Sequence, residues 1–519
     1  MIPRFVRGSN QGLAAGGRSA GAAGDAPDAR RRGPLDTRPG VSAPGPAPWL
    51  ARSGAGTVHA CEQPPTITPR SVRLAFATAL AIGALAAPAG AATFYDGGNV
   101  SGTSHDSHDP KVAVNARGDA AFAWRLDDGS NDVQARTRTG RTLGDITYVS
   151  EVGSVADQQE VAIDDDGNAF ITWRRWNTTT NQHVIEARRL ATDGTMGPRV
   201  TLSSSSTSAS SPQIAVGPDG NALVVWHRWY GAYDRVEART LEADGTVGAT
   251  THLVSDSGQD AGYAQVAFRD DGRALLSWVR SDGTYYRAQV RSLTAGVLGG
   301  VTTLSNAPYS ADFLRMGLEP NGDAVFTWQQ SDGFHTRTMA RTRTAGGALS
   351  PSPEALSTAG EDAYYPEVGV ADDGDAVASW LRYDAGEWQV QAITRSASGS
   401  LGNVLTLSHT GQAASAPELA VSANGSATLT WSRSDGVDEL IRSRKLYPDG
   451  TLGSVATISD AGQDADEPQV GVSDSGQEVI TWQRSDGTGN VIQFLAAGGL
   501  PPLDNDVQTP VGTPVPRVP

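Results

Sequence analysis

The sequence predicts an all-β protein, a β-propeller of eight four-stranded blades of about 51 residues each, with seven blades as the alternative. Three observations predict this fold. A Gly is followed six residues later by a Trp eight times, with Trp-to-Trp spacings of 49 to 53 residues. Each copy contains four short apolar segments separated by turn residues. A strand segment before the first copy matches the fourth strand that the last copy lacks. The pairs are Gly118/Trp124, Gly167/Trp173, Gly220/Trp226, Gly272/Trp278, Gly322/Trp328, Gly374/Trp380, Gly425/Trp431 and Gly476/Trp482.

The N-terminal part of the chain has the composition of an extension and an export signal. Residues 1–73 are rich in Gly, Ala, Pro and Arg, which predicts a disordered extension or a start site assigned too early, ending in a basic n-region. Residues 74–91 combine an apolar run with a small-x-small site, which predicts a secretory signal peptide cleaved after Ala91. The alternative is a short buried helix. The apolar run is too short for a membrane anchor, so we expect a secreted, extracellular, bacterial protein that is not an integral membrane protein.

Charge and cysteine content exclude several function classes. Residues 92–519 carry 31 basic and 53 acidic residues, a formal charge of −22. A surface of this sign repels nucleic acid, so we expect no nucleic-acid partner. The single cysteine, Cys61, precedes the cleavage site. The mature chain is therefore predicted to use neither disulfides nor thiolate chemistry.

Residues 92–498 are predicted to form the propeller. In each copy strand a precedes the Gly-containing turn, strand b ends at the Trp, strand c is a VQAR-like segment and strand d is TLS-like. The eighth copy ends after strand c at 491–495, and Val100 and Ser101 match a strand d. We therefore predict that the ring closes by pairing of the N-terminal and C-terminal strands, which removes an open sheet edge. Residues 499–519 are predicted to be a Pro-rich tail or linker.

The repeated large side chains are interpreted as structural. Both faces of strand b are apolar or small, which is expected where each blade packs between two others. We therefore expect the eight Trp to be core, with ligand contact as the alternative. Two arginine series recur, one two residues after the Trp and one at the end of strand c. We expect them to cover apolar rims and to stack on Trp or pair with loop Asp, and the alternative is an anion-binding ring.

No cofactor and no metal site are predicted. The Asp-rich turn at 164–168 resembles the start of a Ca²⁺ loop but lacks its closing Glu, so turn chemistry explains it and Ca²⁺ is the alternative. His105 and His108 are expected to lie in a solvated loop rather than to bind a divalent ion. No catalytic residues are assigned.

The candidate ligand site lies where repeats 2 to 4 depart from the consensus. Their loops on one rim gain Trp and Tyr, whereas other repeats have plain Ser-Asp-Gly turns. Exposed aromatic rings stack on sugar or peptide faces, and the alternative is packing of a longer loop on its neighbour. The predicted ligand-binding residues are Trp176, Trp229, Tyr230, Tyr233, Tyr263, Tyr285 and Tyr286.

A repeat of this length, with four strands and a turn that leads to a Trp, resembles secreted bacterial β-propeller repeat proteins and, loosely, the Asp-box (BNR) repeats of the sialidase superfamily. The sialidase resemblance implies an arginine cluster, a Tyr/Glu nucleophile pair and an acid on divergent loops, none of which is assigned here to particular residues.

Two functions follow from these observations. The first is a non-enzymatic scaffold, expected to be monomeric, that binds a glycan or an extracellular protein. The second is a sialidase-like glycoside hydrolase or lyase. The regular array shows no single asymmetric set of His, Glu or Tyr residues, and catalysis needs such a set, so binding is favoured.

Overall fold

Eight antiparallel sheets form a ring in the computed structural model, which describes residues 94–384, 386–409 and 411–498. No helix is present in these ranges. Six sheets have four strands, and two contain one further short strand at the outer edge. The eight-bladed β-propeller is therefore confirmed. The predicted extension, signal peptide and Pro-rich tail lie outside the described residues and stay predictions.

Each blade runs from strand a at the centre of the ring to strand d at its outside. Strands a are Asp106–Val114, Ala156–Ile163, Ala209–Val216, Ala261–Phe268, Ala311–Leu318, Ala363–Val370, Ala414–Val421 and Ala465–Val472. Strands b are Ala120–Asp127, Ala169–Asn177, Ala222–Trp229, Ala274–Ser281, Ala324–Ser331, Ala376–Asp384, Ala427–Ser434 and Glu478–Ser485. Strands c are Asn131–Thr139, Gln182–Leu190, Asp234–Leu241, Tyr286–Thr294, Thr336–Arg343, Glu387–Arg395, Glu439–Leu446 and Asn490–Ala497.

The outer strands are short in most blades. In blades 2 to 7 strand d is Val200–Thr201, Val247–Leu253, Thr302–Thr303, Glu354–Ala355, Leu405–Thr406 and Ala456–Thr457. Blade 1 has Thr147–Tyr148 at this position, and the additional short strands are Thr142–Leu143 in blade 1 and Val297–Leu298 in blade 4. In blade 8 the fourth strand is Phe94–Asn99, from the other end of the described chain.

The ring closes as the sequence predicts. Phe94–Asn99 pairs antiparallel with Asn490–Ala497, with Asp96 opposite Ala496 and Asn99 opposite Gln493. A side-chain bond between Gln493 Nε2 and Asn99 Oδ1 (3.0 Å) reinforces the pairing. The closing strand therefore occupies the same place as strand d of the other blades.

The core lies between the blades, and the central strand b of each sheet supplies much of it. All eight Trp of the repeat are buried, seven of them with no exposed surface and Trp482 with 3%. The Ala that begins strand b is buried in seven blades, and Glu478 takes this position in blade 8. The expectation that the Trp ring is core is confirmed.

Close approach of neighbouring inner strands explains the small residues on strand a. A Cβ added at Gly317 would lie 2.5 Å from Val370 Cγ2 of the next blade, and one at Gly369 would lie 2.5 Å from Val421 Cγ2. Because a larger side chain would push these strands apart, strand a carries Gly or Ala at this position. The last residues of neighbouring strands a are therefore closely packed.

The strand c arginines bind backbone rather than a ligand. Arg239 Nε donates to Gly248 O (2.8 Å), and its Nη1 donates to Leu202 O of the preceding blade (3.2 Å). Arg291 makes the same two bonds, to Gly299 O (2.9 Å) and Val254 O (2.8 Å). The expectation that this series stacks on Trp or pairs with loop Asp is wrong, because the backbone carbonyls of the c-to-d turn and of the adjacent blade are nearer. The interpretation that these arginines have a structural role is consistent with these bonds.

Candidate functional site

The b-to-c and d-to-a loops share one rim of the ring, and each strand a begins there with a β-bulge. In blade 4, for example, the register shifts between Gly262 and Gln265, opposite the end of strand b. The residue nine positions before the turn Gly has a positive φ, between 46° and 54°, in all eight blades. A bulge re-aims one side chain, so the fold presents one variable residue per blade around the mouth of the central channel. These residues are Asp109, Gln158, Ser211, Tyr263, Phe313, Tyr365, Ala416 and Glu467.

Three consecutive blades place an aromatic residue at this position, and their rings are in contact. The ring centroids of Tyr263 and Phe313 are 5.7 Å apart, and those of Phe313 and Tyr365 are 4.9 Å apart. The left-handed backbone is costly for such side chains but occurs in every blade, so it belongs to the bulge and not to a site. The side chains distinguish these three blades.

The row of rings continues outward over blade 6. Tyr364 lies 6.4 Å from Tyr365 and 5.6 Å from Trp388, and Trp388 lies 4.9 Å from Tyr383, all between ring centroids. We call the six residues Tyr263, Phe313, Tyr365, Tyr364, Trp388 and Tyr383 the aromatic arc. Tyr365 is 39% exposed and Tyr383 is 44% exposed. The other four residues of the arc are partly buried, so the arc is most open to solvent at Tyr365 and Tyr383.

Carboxylates lie beside the Tyr263 end of the arc. Asp260 links two blades there, because its Oδ1 accepts Asp234 N (3.0 Å) and its carbonyl accepts Ser281 N (2.8 Å). Ser281 pairs across the sheet with Tyr286, which is 41% exposed. Burial raises the pKa of Asp234 to about 6, and the charge of Asp260 raises it further in the same direction. This part of the rim thus combines exposed tyrosine with poorly solvated negative charge.

Asp312 belongs to the same group. It directly precedes Phe313, whose backbone N–H donates to Asp312 Oδ1 (2.9 Å). Burial raises its pKa. Burial also raises the pKa of Tyr263 to about 12, with Asp312 as the next cause. The pKa of Tyr286 is also raised, mainly by burial and to a smaller extent by the charges of Asp260, Asp312 and Asp234.

The structure places the predicted residues of blades 2 and 3 in separate local contacts. Trp176 is partly buried and lies edge-on to His183, with ring centroids 4.8 Å apart. Tyr230 stacks on Tyr233 (6.3 Å), and its hydroxyl donates to a carboxylate oxygen of Glu237 in its own blade. Trp229 is 43% exposed. Trp176, Tyr230 and Tyr233 therefore have packing partners of their own, while Trp229 presents the most open ring.

The predicted residues of blade 4 lie at or beside the aromatic arc. Tyr263 is its first member, and Tyr286 lies within electrostatic range of Tyr263. Arg287 lies over the ring of Tyr285, 5.0 Å from its centroid. The geometry thus joins one of the seven predicted residues to the arc, and ligand binding by any of them stays a prediction.

Sequence reasoning missed the other five members of the arc, Phe313, Tyr365, Tyr364, Trp388 and Tyr383. A signal was present for two of them. Phe313 and Tyr365 stand nine residues before their turn Gly, as Tyr263 does. Alignment of this one column across the repeats shows three aromatic residues in a row.

Polar residues line the channel below the bulges. Lys111 Nζ lies 3.7 Å from Glu160 Oε1, and Arg315 Nε lies 3.1 Å from Glu367 Oε2. Burial raises the pKa of Glu160 to about 7, although Lys111 lowers it. These residues stand two positions after the bulge, so each blade also contributes one side chain to this ring. Lys111 and Arg315 thus each lie beside a Glu of the next blade.

The opposite side of the channel mouth is acidic rather than aromatic. Blade 8 has Asp466 and Glu467 where blade 5 has Asp312 and Phe313. The pKa of Glu467 is raised to about 7, mainly by burial and to a smaller extent by the charges of Asp109 and Asp466. The two sides of one rim therefore differ in chemistry although their backbones are equivalent.

The arginines that follow the Trp are held by the protein. Arg175 Nε lies 2.8 Å from Glu186 Oε1, and Arg228 Nη2 lies 2.9 Å from Glu237 Oε1. Arg280 donates to the carbonyls of Asp256 and Ser257. Some of these arginines thus pair with a Glu of strand c, and others donate to loop carbonyls. The guanidinium groups of Arg175, Arg228 and Arg280 already have protein partners, which argues against an anion-binding ring.

The Asp side chains of the Asp-rich turns accept hydrogen bonds from N–H groups of the same turn. Asp164 Oδ1 accepts Asp166 N (2.9 Å) and Asn168 N (2.8 Å). Within the ranges that the structure describes, no three His, Cys, Asp or Glu side chains are grouped so that they could hold a metal ion. Nor do these ranges contain a helix long and apolar enough to cross a membrane.

The described ring is similar to solved β-propellers. The chain shares 13% identity with the polysaccharide lyase Uly1, covering 66% of this chain and 89% of that one, with a TM-score of 0.47. It shares 7% identity with an ulvan lyase of a new polysaccharide lyase family (68% and 92%, TM-score 0.46). For a subtype N10 neuraminidase-like protein of A/little yellow-shouldered bat/Guatemala/060/2010 the identity is 6% (55% and 92%, TM-score 0.33). No family model and no curated protein matches the chain. At these identities and TM-scores the comparisons assign no function to this chain.

Proposed function

We propose that this protein is a secreted, non-enzymatic β-propeller that binds a carbohydrate along the aromatic arc. One observation carries the proposal: six aromatic side chains form a contiguous row over blades 4 to 6, with Tyr365 and Tyr383 open to solvent. Exposed aromatic rings reduce solubility unless a ligand covers them, and flat rings stack on the apolar faces of sugars. Secretion rests on the signal at residues 74–91.

The arrangement of the arc favours an extended ligand. It runs from the channel mouth at Tyr263 outward to Tyr383 at the b-to-c turn of blade 6. Its partly buried members Phe313 and Trp388 have ring contacts on two sides. Because the rings are held in place before binding, little side-chain entropy is lost when a glycan chain lies across them.

A glycan array identifies the ligand, and three single variants then locate it. We expect Tyr383→Ala and Tyr365→Ala each to weaken binding about fivefold, the loss of roughly 1 kcal/mol from one ring. Isothermal titration calorimetry measures the affinity, and a thermal unfolding curve checks that the fold is kept. The matched control is Phe334→Ala, which removes a 92% exposed ring from the same rim of blade 5 but outside the arc.

A fourth variant, Trp229→Ala, tests the alternative site in blade 3. If Trp229→Ala abolishes binding and the two arc variants do not, the ligand occupies blade 3, as the sequence alone suggests. If Phe334→Ala weakens binding as much as Tyr383→Ala does, stacking along the arc is wrong. If no glycan on the array binds but an array of extracellular proteins yields a ligand, the partner is a protein and not a glycan.

Glycoside hydrolysis is a second candidate, supported by the pair Asp234 and Asp260. A glycosidase needs one carboxyl group with a raised pKa and a second carboxylate beside the scissile bond. The pKa of Asp234 is raised to about 6, and Asp260 is adjacent to it. Prolonged incubation of the bound glycan followed by mass spectrometry distinguishes the two candidates, since a binding protein leaves the chain length unchanged.

A further inference from the structure

Three carboxylates without an ion-pair partner among the described residues adjoin the inner end of the aromatic arc. Asp234 and Asp260 are joined through the Asp234 N–H, and Asp312 adjoins Phe313 within the arc. Asp234 is contributed by blade 3, Asp260 by the loop before blade 4 and Asp312 by blade 5. All three carboxylates, from three different blades, lie within electrostatic range of Tyr286, and Asp312 also lies within range of Tyr263. The backbone supports this placement, because Tyr286 pairs with Ser281, whose N–H donates to Asp260 O, and Tyr286 N donates to Ser310 Oγ beside Asp312.

Among the described residues, no cation of this rim forms an ion pair with these three acids, and the nearest cations have other partners. Arg315, the cation that lowers the pKa of Asp312, is 3.1 Å from Glu367. Arg287 is committed to Asp282 (2.7 Å) in the b-to-c turn of blade 4. The arginines of the neighbouring blades are paired in the same way, which the ion pairs Arg174–Asp157, Arg175–Glu186, Arg228–Glu237, Arg337–Asp332 and Arg382–Glu361 show.

Negative charge beside exposed aromatic rings selects a positively charged ligand. The faces of Tyr and Phe rings attract a cation, and a nearby carboxylate adds a charge-assisted hydrogen bond. A uronic acid or a sulfated sugar would instead be repelled by Asp234, Asp260 and Asp312, and by the net charge of −22 on residues 92–519.

We propose that the sugar bound at the inner end of the arc is an amino sugar with a free ammonium group, held between Tyr263, Tyr286 and the carboxylates of Asp260 and Asp312. This assignment of the ligand class rests on the proposed function. It adds a charge requirement that stacking alone does not have, so the two can fail separately.

The chain offers a matched control for the charge. Asp466 of blade 8 occupies the same place as Asp312 of blade 5, directly before the bulge residue. Asp312 is partly buried and Asp466 is exposed, and desolvation raises the pKa of both. Asp466 directly precedes Glu467, whereas Asp312 directly precedes Phe313 of the aromatic arc. Asp312→Asn and Asp466→Asn therefore remove equal charge, one beside the arc and one away from it.

The experiment compares a glucosamine hexamer with its fully N-acetylated counterpart on the whole chain. Calorimetric titration is run at low and high salt, at a pH where the amines are protonated. We expect the glucosamine hexamer to bind more tightly, and only its affinity to fall as salt rises. Asp312→Asn should weaken it about tenfold, the size expected for a charge-assisted contact, whereas Asp466→Asn should have little effect. Tyr383→Ala should weaken both hexamers.

Each alternative outcome overturns a stated part. Equal affinity for both hexamers, with loss in Tyr383→Ala, retains stacking on the arc and overturns the charge requirement. Equal weakening of glucosamine binding by Asp312→Asn and Asp466→Asn overturns the local site in favour of general attraction to an acidic protein. Failure of both hexamers to bind, while the array identifies a neutral or acidic glycan that needs Tyr383, overturns the amino-sugar assignment alone. Absence of any glycan binding overturns the proposed function as well.

Discussion

The repeated Trp residues stabilise the ring through packing more than through their indole N–H groups. Trp124 Nε1 donates to Gln134 Oε1 (3.1 Å) and Trp380 Nε1 to Gln391 Oε1 (3.2 Å). In contrast, the indole nitrogens of Trp173 and Trp278 have no hydrogen-bond partner although both rings are fully buried. The repeat thus keeps the ring itself, and its hydrogen bond varies from blade to blade.

Trp328→Ala should lower the free energy of unfolding by roughly 3–5 kcal/mol, because it removes a fully buried ring and leaves a cavity between blades 4 and 5. Chemical denaturation monitored by circular dichroism measures the loss. Phe334→Ala is the control, since its ring is 92% exposed and should contribute little. Full stability of Trp328→Ala together with lost ligand binding would mean that this Trp serves a site and not the core.

Glu467 should make stability depend on pH. Its pKa is raised from 4.5 to about 7 in the folded protein by burial, Asp109 and Asp466, while Lys111 opposes the shift. The folded state therefore prefers protonated Glu467, and the stabilisation present below pH 4.5 is lost as the pH rises through about 7. Glu467→Gln should raise the free energy of unfolding by up to about 3 kcal/mol at high pH and change it little in acid.

Denaturation curves of the Glu467→Gln variant and the unsubstituted protein across this pH range provide the measurement. Asp435→Asn is a control of opposite sign. Its pKa is lowered by hydrogen bonds from the backbone of Asp438 and Val437, so the substitution should not stabilise the protein at high pH. A gain from Glu467→Gln that is the same in acid and base would show that packing, and not charge, is responsible.

At the level of the strand, one serine recurs as the link between strands c and d. Ser357 Oγ accepts Thr338 N (3.1 Å) in blade 5, and Ser255 Oγ accepts Val236 N (3.0 Å) in blade 3. In blade 8 the same bond joins the chain ends, because Ser101 Oγ accepts Ile492 N (2.9 Å). The closing strand is therefore bonded as every other strand d is.

Ser101→Ala and Ser357→Ala should each cost about 1 kcal/mol, since each removes one acceptor from a buried N–H. Deletion of residues 92–101 should cost far more, because it opens a sheet edge and exposes the core of blade 8. Thermal unfolding and size-exclusion chromatography measure both effects. A silent Ser101→Ala beside a costly Ser357→Ala would argue against closure by this strand, as would an unchanged melting curve and monomeric elution after the deletion.

The strands were predictable because each strand pattern recurs from copy to copy, and the closure was predictable because the last copy lacks a fourth strand. A single Gly-to-Trp spacing locates strand b, and the unmatched segment at Val100 and Ser101 completes the count. The aromatic arc was harder, because its contacts join residues about fifty positions apart, such as Tyr263, Phe313 and Tyr365. Sequence reasoning looked for long loops and found Trp176 and Trp229, whereas the bulge places strand residues at the rim.

Across the whole molecule, a nearly regular ring carries an irregular rim. Blades 4 to 6 contribute the aromatic arc, while blades 8 and 1 contribute Glu467, Asp466 and Asp109 around the same channel mouth. The shared backbone allows this difference, since each bulge has the same positive φ and presents one side chain that varies from blade to blade. Ligand binding in such a ring is expected to depend on these few positions, while most of the stability comes from the buried repeat positions.

Because the ends already pair within one blade, the position of the chain break should matter little. A circular permutant that joins residue 498 to residue 94 through a short linker and opens the chain between Gly436 and Val437 should fold and keep glycan binding at the arc. Val437 is 87% exposed in a b-to-c turn, so the new ends would disturb no core contact and blade 7 would be closed by two strands from each end. A second permutant, opened between Leu429 and Thr430 inside a buried strand, should fail to fold. Melting curves and titration with the array-identified glycan compare the two, and loss of the fold in the first permutant would show that the natural closure in blade 8 has a role that another blade cannot take.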